Sequence, residues 1–361
     1  MRTFIALLLG VIISGTATAQ QTRLLTPDKY SDYGLVYALP NTALEVEITV
    51  RHTVRQAGPF RLYATKYIGT DKVIDSDSES WEITDVRMRS YGVANDSALY
   101  RMQLKAGQNL TLCVAADNML LGVNTEVEEP KGWEPLSNPE PLMMPSATEY
   151  LQYVSEDFSS AQSDARRASL LAAGLNDVRQ SRLDLTRGVA ENMPTDGKQL
   201  ELMLNSLAHQ EELMLNAFRG REMTETRTAR FTLVPDKAGR YVVARLNPYT
   251  GFVNRNDLSG APVYADILEY EQPEVPVDDK GQTAKLPRDG IMYMLPGTAT
   301  VSLQWQGREL LSTTMPMAQF GIPFALDPSL FTNKKVPACA TFDPATGALI
   351  KPVSYTHLTL P

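Results

Sequence analysis

The residues able to do acid–base, nucleophilic or metal chemistry are few in this sequence and lie far apart. The histidines are His52, His209 and His357, and the cysteines are Cys113 and Cys339. Zinc sites bring such residues together at short spacings, as in H-E-x-x-H or C-x-x-C, and neither pattern occurs here. We therefore predict no metal ligands, and we interpret His52 and His209 as satisfied or exposed side chains.

Motifs for nucleophilic and phosphate chemistry are also missing. The chain has no G-x-S-x-G elbow, no G-x-x-x-x-G-K-[ST] loop and no G-x-G-x-x-G fingerprint. A catalytic triad that uses His52 or His209 stays open, because triads assemble from distant positions. A glycosidase carboxylate pair carries no general motif, and the 42 Asp and Glu residues give no way to choose one. We therefore assign no catalytic, cofactor-binding or metal residues and expect no cofactor.

Two polar runs could offer oxygen ligands to calcium. They are D-S-D-S-E at 75–79 and N-R-N-D at 254–257, and neither has the ligand spacing and glycine of an EF-hand loop. We predict solvated turns there, with calcium as the alternative. Cys113 and Cys339 each lie among apolar residues, which suits either buried free thiols or one disulfide in an exported protein.

The N-terminus predicts export. Arg2 precedes an apolar run from Phe4 to Ile13, and small residues ending at Ala19 follow, as in a secretory signal with an A-x-A cleavage site. No later apolar run approaches the 18 residues that a membrane helix needs, so we expect no transmembrane segment after signal cleavage. The expected location is the periplasm, the cell surface or the extracellular space.

Composition limits the class of partner. The formal charge is -8 and the pI about 5.1, whereas binding to nucleic acid depends on clustered Lys and Arg. Nucleic acid is therefore excluded as an expected partner. With 43% hydrophobic and 21% charged residues, the chain has the composition of an ordinary globular protein of about two domains.

A decamer occurs twice and dominates the organisation of the chain. G-L-V-Y-A-L-P-N-T-A at 34–43 returns as G-I-M-Y-M-L-P-G-T-A at 290–299, with six identical positions. The first copy leads into L-E-V-E-I-T-V, whose period-two alternation predicts a half-buried strand with Glu45 and Glu47 on the polar face. Because Pro40 cannot donate to a ladder, we predict strand, turn and strand for each decamer. It carries no acid, base or ligand set, so we interpret it as architecture.

Glycine and proline motifs predict hairpins, and a change in apolar spacing predicts two helices. N-P-Y-T-G at 247–251 and D-P-A-T-G at 343–347 suit type I turns that end in a positive φ. From about 159 to 220 the apolar spacing becomes three and four, with Arg182 and Glu211 as polar interruptions. Gly188 and N-M-P-T-D-G at 192–197 supply stop and start signals between two helices.

The predicted fold class is α+β, mostly antiparallel β, with two β-sandwich-like units and an inserted α-helical hairpin. The predicted divisions are a signal peptide at 1–19, an N-terminal β domain at 20–145, the helical hairpin at 146–222, and a C-terminal β domain at 223–352. Residues 353–361, V-S-Y-T-H-L-T-L-P, are interpreted as a non-native tail.

With these residues, the chain resembles a secreted family of Bacteroidetes, domain-of-unknown-function family 4831. The resemblance rests on the signal peptide and on the motifs G-L-V-Y-A-L-P-N-T-A-L-E-V-E, Q-A-G-P-F, S-R-L-D-L-T-R-G-V-A-E-N-M-P-T-D-G, D-L-S-G-A-P-V-Y and F-D-P-A-T-G-A-L. It covers nearly the whole mature chain. It implies an exported or envelope protein and supplies no catalytic residues.

These observations favour a non-catalytic exported protein, a binding or structural component of the bacterial cell envelope, with an envelope protein or a glycan as partner. One alternative is a carbohydrate-active hydrolase with an unmarked carboxylate pair. Two Asp or Glu side chains facing each other in a deep cleft with raised pKa would favour it. The other alternative is a protein–protein interaction module that uses the helical hairpin, and an exposed apolar patch there would favour it.

Overall fold

The computed structural model describes residues 21–25, 34–104, 109–129, 131–277, 287, 289–332 and 337–353. The predicted signal peptide at 1–19 lies outside these residues, and so does the predicted tail at 353–361 except for Val353, the last residue of a strand. None of the helices in the described ranges is long and apolar enough to cross a bilayer.

The strands form three sheets in which the strand pairs are antiparallel. The strands are β1 (Gln21–Leu24), β2 (Leu35–Gln56), β3 (Ser78–Gln103), β4 (Leu112–Val114), β5 (Leu120–Val123), β6 (Arg221–Leu233), β7 (Gly239–Asn247), β8 (Gly251–Val253), β9 (Ala261–Glu271), β10 (Ile291–Trp305), β11 (Arg308–Leu326), β12 (Cys339–Phe342) and β13 (Leu349–Val353). The orders are β1-β3-β2-β6, β11-β10-β9-β7-β8 and β13-β12-β5-β4.

The helices lie between β2 and β3 and between β5 and β6. They are α1 (Ala64–Ile68), α2 (Glu156–Ser160), α3 (Asp164–Arg187) and α4 (Gly197–Arg219), with short 3-10 turns at Arg61–Tyr63, Glu149–Tyr153 and Pro328–Leu330. A mostly antiparallel chain with this helical insertion confirms the α+β class.

The largest core lies between the first two sheets, and we call it the sandwich core. Leu44, Val46, Ile48 and Val50 enter it from β2, and they are the apolar positions of the predicted alternation. The opposite sheet contributes Val263, Ala265, Ile267, Val301 and Leu303. The period-two prediction for this strand is therefore confirmed, because side chains two residues apart share a face.

A second core, which we call the end core, lies at the other ends of the long strands β2 and β10. Tyr37 and Leu39 from β2 pack there with Leu120 of β5. Ile291 of β10 and Phe342 of β12 complete it from the C-terminal part of the chain. Both cores combine residues from before and after the helical hairpin. The domain boundaries at 145 and 222 stay a prediction.

The decamers do not turn the chain back, so the strand-turn-strand prediction is wrong. Each copy runs through one continuous strand and carries a bulge, between Ala38 and Pro40 in β2 and between Leu295 and Gly297 in β10. A bulge leaves a residue out of the ladder and bends the strand, which suits a proline that has no N–H to donate. The bend directs each strand from the end core into the sandwich core.

The two predicted turn motifs form hairpins, as expected. In N-P-Y-T-G, Asn247 Oδ1 accepts hydrogen bonds from the N–H groups of Tyr249 (2.8 Å) and Thr250 (3.3 Å). Gly251 has φ 83° and begins β8, which pairs with β7. D-P-A-T-G repeats the pattern between β12 and β13, with Gly347 at φ 70°. Glycine adopts this left-handed conformation without the steric cost that a side chain brings.

The predicted helical hairpin is confirmed. Gly188 ends α3 in the left-handed conformation, and the Asp196 side chain accepts from Lys198 N–H at the start of α4. Leu171, Met214 and other apolar side chains of the pair pack with Phe60, which the connection after β2 supplies. This helical core sits on the end of the sandwich where β2 and β3 are linked.

Candidate functional site

His52 is buried and contacts two carboxylates through its ring nitrogens. Its Nδ1 is 3.0 Å from Glu225 Oε1, and its Nε2 is 2.8 Å from Glu79 Oε1. Its ring stacks on Trp81 with centroids 3.9 Å apart. The two contacts join three strands, because His52 lies on β2, Glu225 on β6 and Glu79 on β3. The satisfied-histidine interpretation of His52 is supported, and His209 is exposed on α4.

The cysteines are both free. Cys113 lies on β4 and Cys339 on β12, and β5 runs between those two strands in the same sheet. Val127 N–H lies 3.4 Å from Cys113 Sγ, and Cys339 Sγ lies 3.2 Å from the Asn124 carbonyl oxygen. Of the two options left open by the sequence, the structure has the free thiols.

The two polar runs that could have offered calcium ligands accept hydrogen bonds from backbone N–H groups. Asp77 accepts from Ala57 N–H at 2.7 Å, Asn254 from Asn256 N–H at 3.0 Å, and Asp257 from Ser259 N–H at 2.9 Å. Within the described ranges, no group of three or more His, Cys, Asp or Glu side chains is arranged to hold a metal ion. The local hydrogen bonds at 254–257 support the turn interpretation there, whereas the run at 75–79 leads into β3, which begins at Ser78.

Of the two glutamates expected on a solvated face, Glu47 is buried and Glu45 is half-buried. Glu47, 5% exposed, accepts from Arg230 Nη2 at 2.6 Å and lies 3.1 Å from Arg87 Nη2. Glu45 pairs with Arg89, whose Nε donates to it at 2.6 Å. The Trp133 ring covers both Arg89 and Arg230, with centroid distances of 4.9 and 5.5 Å. The polar face of β2 is therefore roofed by the segment after β5.

A cleft of about 460 Å³ opens beside this roof. It lies where β3 passes the β4–β5 turn, the start of the segment after β5, and the D-P-A-T-G turn. Its lining residues are Arg89, Ser90, Tyr91, Gly92, Ala115, Ala116, Asp117, Met119, Glu129, Lys131, Gly132, Asp343, Pro344 and Ala345. Ligand sites of small molecules have about this size, roughly 300–1,000 Å³. This is the candidate site.

The first decamer supports a wall of the cleft, although none of its residues lines the cleft. Thr42 is fully buried, donates to the Ala345 carbonyl at 2.8 Å and accepts from Ala318 N–H at 2.9 Å. Opposite it on β3, a side chain at Gly92 would collide with the Pro344 carbonyl oxygen, so glycine is what lets the turn approach the strand. Thr42 thereby fixes one wall of the cleft against β3.

The carboxylates in the cleft are anchored by backbone N–H groups and keep spare acceptor capacity. Glu129 Oε1 accepts from Ala116 N–H at 2.8 Å, and Asp343 Oδ1 from Ala345 N–H at 2.7 Å. Asp117 accepts from Ala94 and Met119 N–H groups. Among the described residues, Glu129 Oε2, Asp343 Oδ2 and the Lys131 ammonium have no hydrogen-bond partner. The cleft can therefore offer two acceptors and one cationic donor to a ligand.

Sequence reasoning did not find this cleft. Its residues come from four separate parts of the chain, and no spacing among Asp117, Glu129, Lys131 and Asp343 distinguishes them from other charged side chains. The D-P-A-T-G motif predicts a turn. Nothing in the pattern indicated that this turn packs against Gly92.

Carboxylates with shifted pKa lie elsewhere. The Tyr241 hydroxyl lowers the pKa of Asp236, and the Ser259 backbone N–H lowers the pKa of Asp257. Neither residue lines the cleft. A glycosidase acid needs the opposite shift, so these two residues do not supply one.

The far end of the helical hairpin, which we call the hairpin tip, exposes apolar side chains. Leu183 (44% exposed), Val189 (67%), Met193 (39%) and Leu202 (70%) lie on it, outside the helical core. The interruptions Arg182 and Glu211 meet across the two helices at 2.5 Å. They hold the helices together just below the tip.

A family model described as a domain of unknown function (DUF4831) matches residues 33–350. No curated protein and no solved structure matches the chain. The family match therefore carries no activity or ligand to the cleft.

Proposed function

The chain belongs to the DUF4831 family, and we propose that it is an exported, non-catalytic binding protein of the bacterial cell envelope that holds a glycan segment in the cleft. The observation that carries the proposal is a cleft of about 460 Å³ in which, among the described residues, Glu129 and Asp343 each keep one oxygen without a hydrogen-bond partner and the Lys131 ammonium is unpaired.

The chemistry of the lining suits a sugar. Hydroxyl groups can donate to Glu129 Oε2 and Asp343 Oδ2 and accept from Lys131, since a hydroxyl is both donor and acceptor. Tyr91 gives an amphipathic ring, while Met119 and Pro344 offer apolar surface to the C–H groups of a pyranose. Pockets of this kind combine an apolar lining with a few placed polar groups.

An anionic ligand fits less well. Three carboxylates line the cleft against Lys131 and Arg89, and Arg89 already pairs with half-buried Glu45. The acidic excess repels phosphate and carboxylate groups. A ligand that is neutral or carries an amine is therefore favoured.

Binding is favoured over hydrolysis because the carboxylates already hold the backbone of the cleft walls. Asp117, Glu129 and Asp343 each accept from backbone N–H groups, so each is fixed to a turn or strand that lines the cleft. Export rests on the signal-like N-terminus, which lies outside the described residues.

The hairpin tip supports a second candidate, a protein–protein contact. Its exposed apolar side chains, together with a recess of about 460 Å³ between Leu185 and Leu207, offer apolar area to a partner. This candidate and the glycan site share no lining residue, so they can be separated experimentally.

A glycan array tests the leading proposal. The mature chain is applied beside Ala116→Trp, which fills the cleft, and Glu129→Gln, which removes an acceptor charge. Glu128→Gln is the matched control, because Glu128 is exposed next to Glu129 and does not line the cleft. We expect a defined set of glycans that the wild type and control bind and that Ala116→Trp loses at least tenfold.

Equal binding by Ala116→Trp would refute the site, and an array without any bound glycan would refute the ligand class. Release of shortened sugar from a bound glycan would show the hydrolase instead.

A further inference from the structure

Strand β6 is an edge strand of its sheet. Its backbone N–H and C=O groups that point away from β2 face no neighbouring strand among the described residues. β6 pairs with β2 along 13 residues from Gln56↔Arg221 to Leu44↔Leu233. Thr228 directs both its N–H and its C=O away from β2, and both bond to the side-chain amide of Asn138 (2.7 and 2.9 Å). Since such groups alternate along an antiparallel strand, those of Thr224 and Thr226 point the same way. Within the described ranges these groups of Thr224 and Thr226 have no hydrogen-bond partner.

The segment at 131–147, which we call the strap, covers this edge loosely. It contains prolines at 135, 139, 141 and 145, which cannot donate to a ladder, so it does not pair as a strand. Its contacts with β6 run through side chains. Asn138 bonds Thr228, Arg230 donates to the Glu134 carbonyl at 2.7 Å, and Leu142 N–H donates to Glu225 at 3.1 Å. Most strap residues are exposed, with Trp133 half-buried as the anchor.

The sequence of β6 is complementary to itself. If two copies of R-E-M-T-E-T-R-T-A-R-F pair antiparallel about Thr226, Glu222 lies opposite Arg230 and Glu225 opposite Arg227, each twice by symmetry. Moving the centre by one residue sets Glu225 against Glu225, or Arg227 against Arg227. Opposite charges across a strand pair stabilise it and like charges destabilise it. In the register about Thr226, each residue whose backbone N–H and C=O groups point away from β2 also lies opposite a residue of the same kind.

We infer that the strap is a displaceable cover, and that lifting it lets β6 pair with β6 of a second copy of this chain in the register centred on Thr226. The pairing is two-fold symmetric and occupies the β6 edge of both copies. It therefore closes as a dimer and does not continue into a filament. Asn138 holds the cover closed because its amide takes the place of a neighbouring peptide group at Thr228. The inference does not depend on what the cleft binds.

Loosening the strap at one side chain tests this. Asn138→Ala removes both bonds to Thr228, while Ser137→Ala is the matched control, because Ser137 is exposed on the strap and bonds none of the described residues. Sedimentation equilibrium should give a dimer dissociation constant at least tenfold lower for Asn138→Ala than for the control. Equal constants would overturn the inference.

Two substitutions on β6 then test the surface and the register. Thr226→Pro removes an outward N–H and no ladder bond, so it should return Asn138→Ala to monomer while the far-ultraviolet spectrum is kept; a persistent dimer would reject β6 as the surface. Thr226→Cys should cross-link to itself under mild oxidation, in the wild-type background more slowly than with Asn138→Ala.

Thr224→Cys is the control for register. In the proposed pairing its two copies lie four residues apart, about 13 Å, which is beyond the reach of a disulfide. Cross-linking by Thr224→Cys and not by Thr226→Cys, mapped by mass spectrometry, would exclude the Thr226 register. The cross-link also gives a result if Asn138→Ala proves unstable.

Discussion

Replacing Thr42 by valine removes the hydroxyl that links β2 to β11 and to the turn at 343–347. Thr42 is fully buried, and the substitution keeps its shape. The Ala318 N–H and the Ala345 carbonyl both lose the partner that the hydroxyl provides at 2.9 and 2.8 Å. An unsatisfied buried polar group costs about 1–3 kcal/mol, and Ala345 is partly exposed, so we expect a loss of about 2–3 kcal/mol of unfolding free energy.

The second decamer supplies the matched control. Thr298 occupies the same position of the repeat, but it is exposed on β10. Thr298→Val should change the free energy of unfolding by no more than about 0.5 kcal/mol. Urea denaturation of both variants, with the midpoint and slope fitted, measures the difference. Equal effects of Thr42→Val and Thr298→Val would refute the role of Thr42 as the junction between strand, turn and β11.

Two further predictions concern the helices and the end core. Gly188→Ala should destabilise the chain by about 1 kcal/mol because Gly188 has φ 73°, whereas Gly174→Ala, inside α3 with Met214 Cε at 3.7 Å, should stabilise it by about 0.5–1 kcal/mol. Thermal melts check both, and the same sign for both would contradict the assignment. Burial raises the pKa of Tyr37 above its ordinary value of 10.0. The unfolded chain therefore loses this proton first, and stability should fall above pH 10 by up to about 1.4 kcal/mol per pH unit. Tyr37→Phe should have a shallower fall between pH 9 and 11 in urea titrations, and an unchanged slope would count against this.

Local patterns predicted the parts of the fold that depend on nearby residues. The alternation from Leu44 to Val50 defines which face of β2 is buried, and Gly188 with Asp196 marks the break between two helices. These signals work because side-chain direction and capping are settled within a few residues. Arg182 and Glu211 also carried a signal, since each interrupts an apolar face and the two meet as an ion pair.

The rest depended on contacts between distant segments. Pro40 indicates the end of a strand when only its missing N–H is considered, but a bulge lets the strand continue. Glu47 has the pattern of a solvated position and is buried because Trp133, 86 residues later, covers its arginine partners. The cleft needs Gly92 and Pro344 in contact, and neither position indicates the other in the sequence.

Methyl NMR of the methionines tests the proposed glycan site most directly. Met119 lines the cleft, whereas Met193 and Met203 lie at the hairpin tip and its recess. On titration with the glycans selected by the array, we predict a saturable shift of the Met119 methyl signal, no shift of Met193 or Met203, and no Met119 shift in Ala116→Trp. Shifts confined to Met193 and Met203, or an unmoved Met119 signal in the wild-type chain, would contradict a ligand in the cleft.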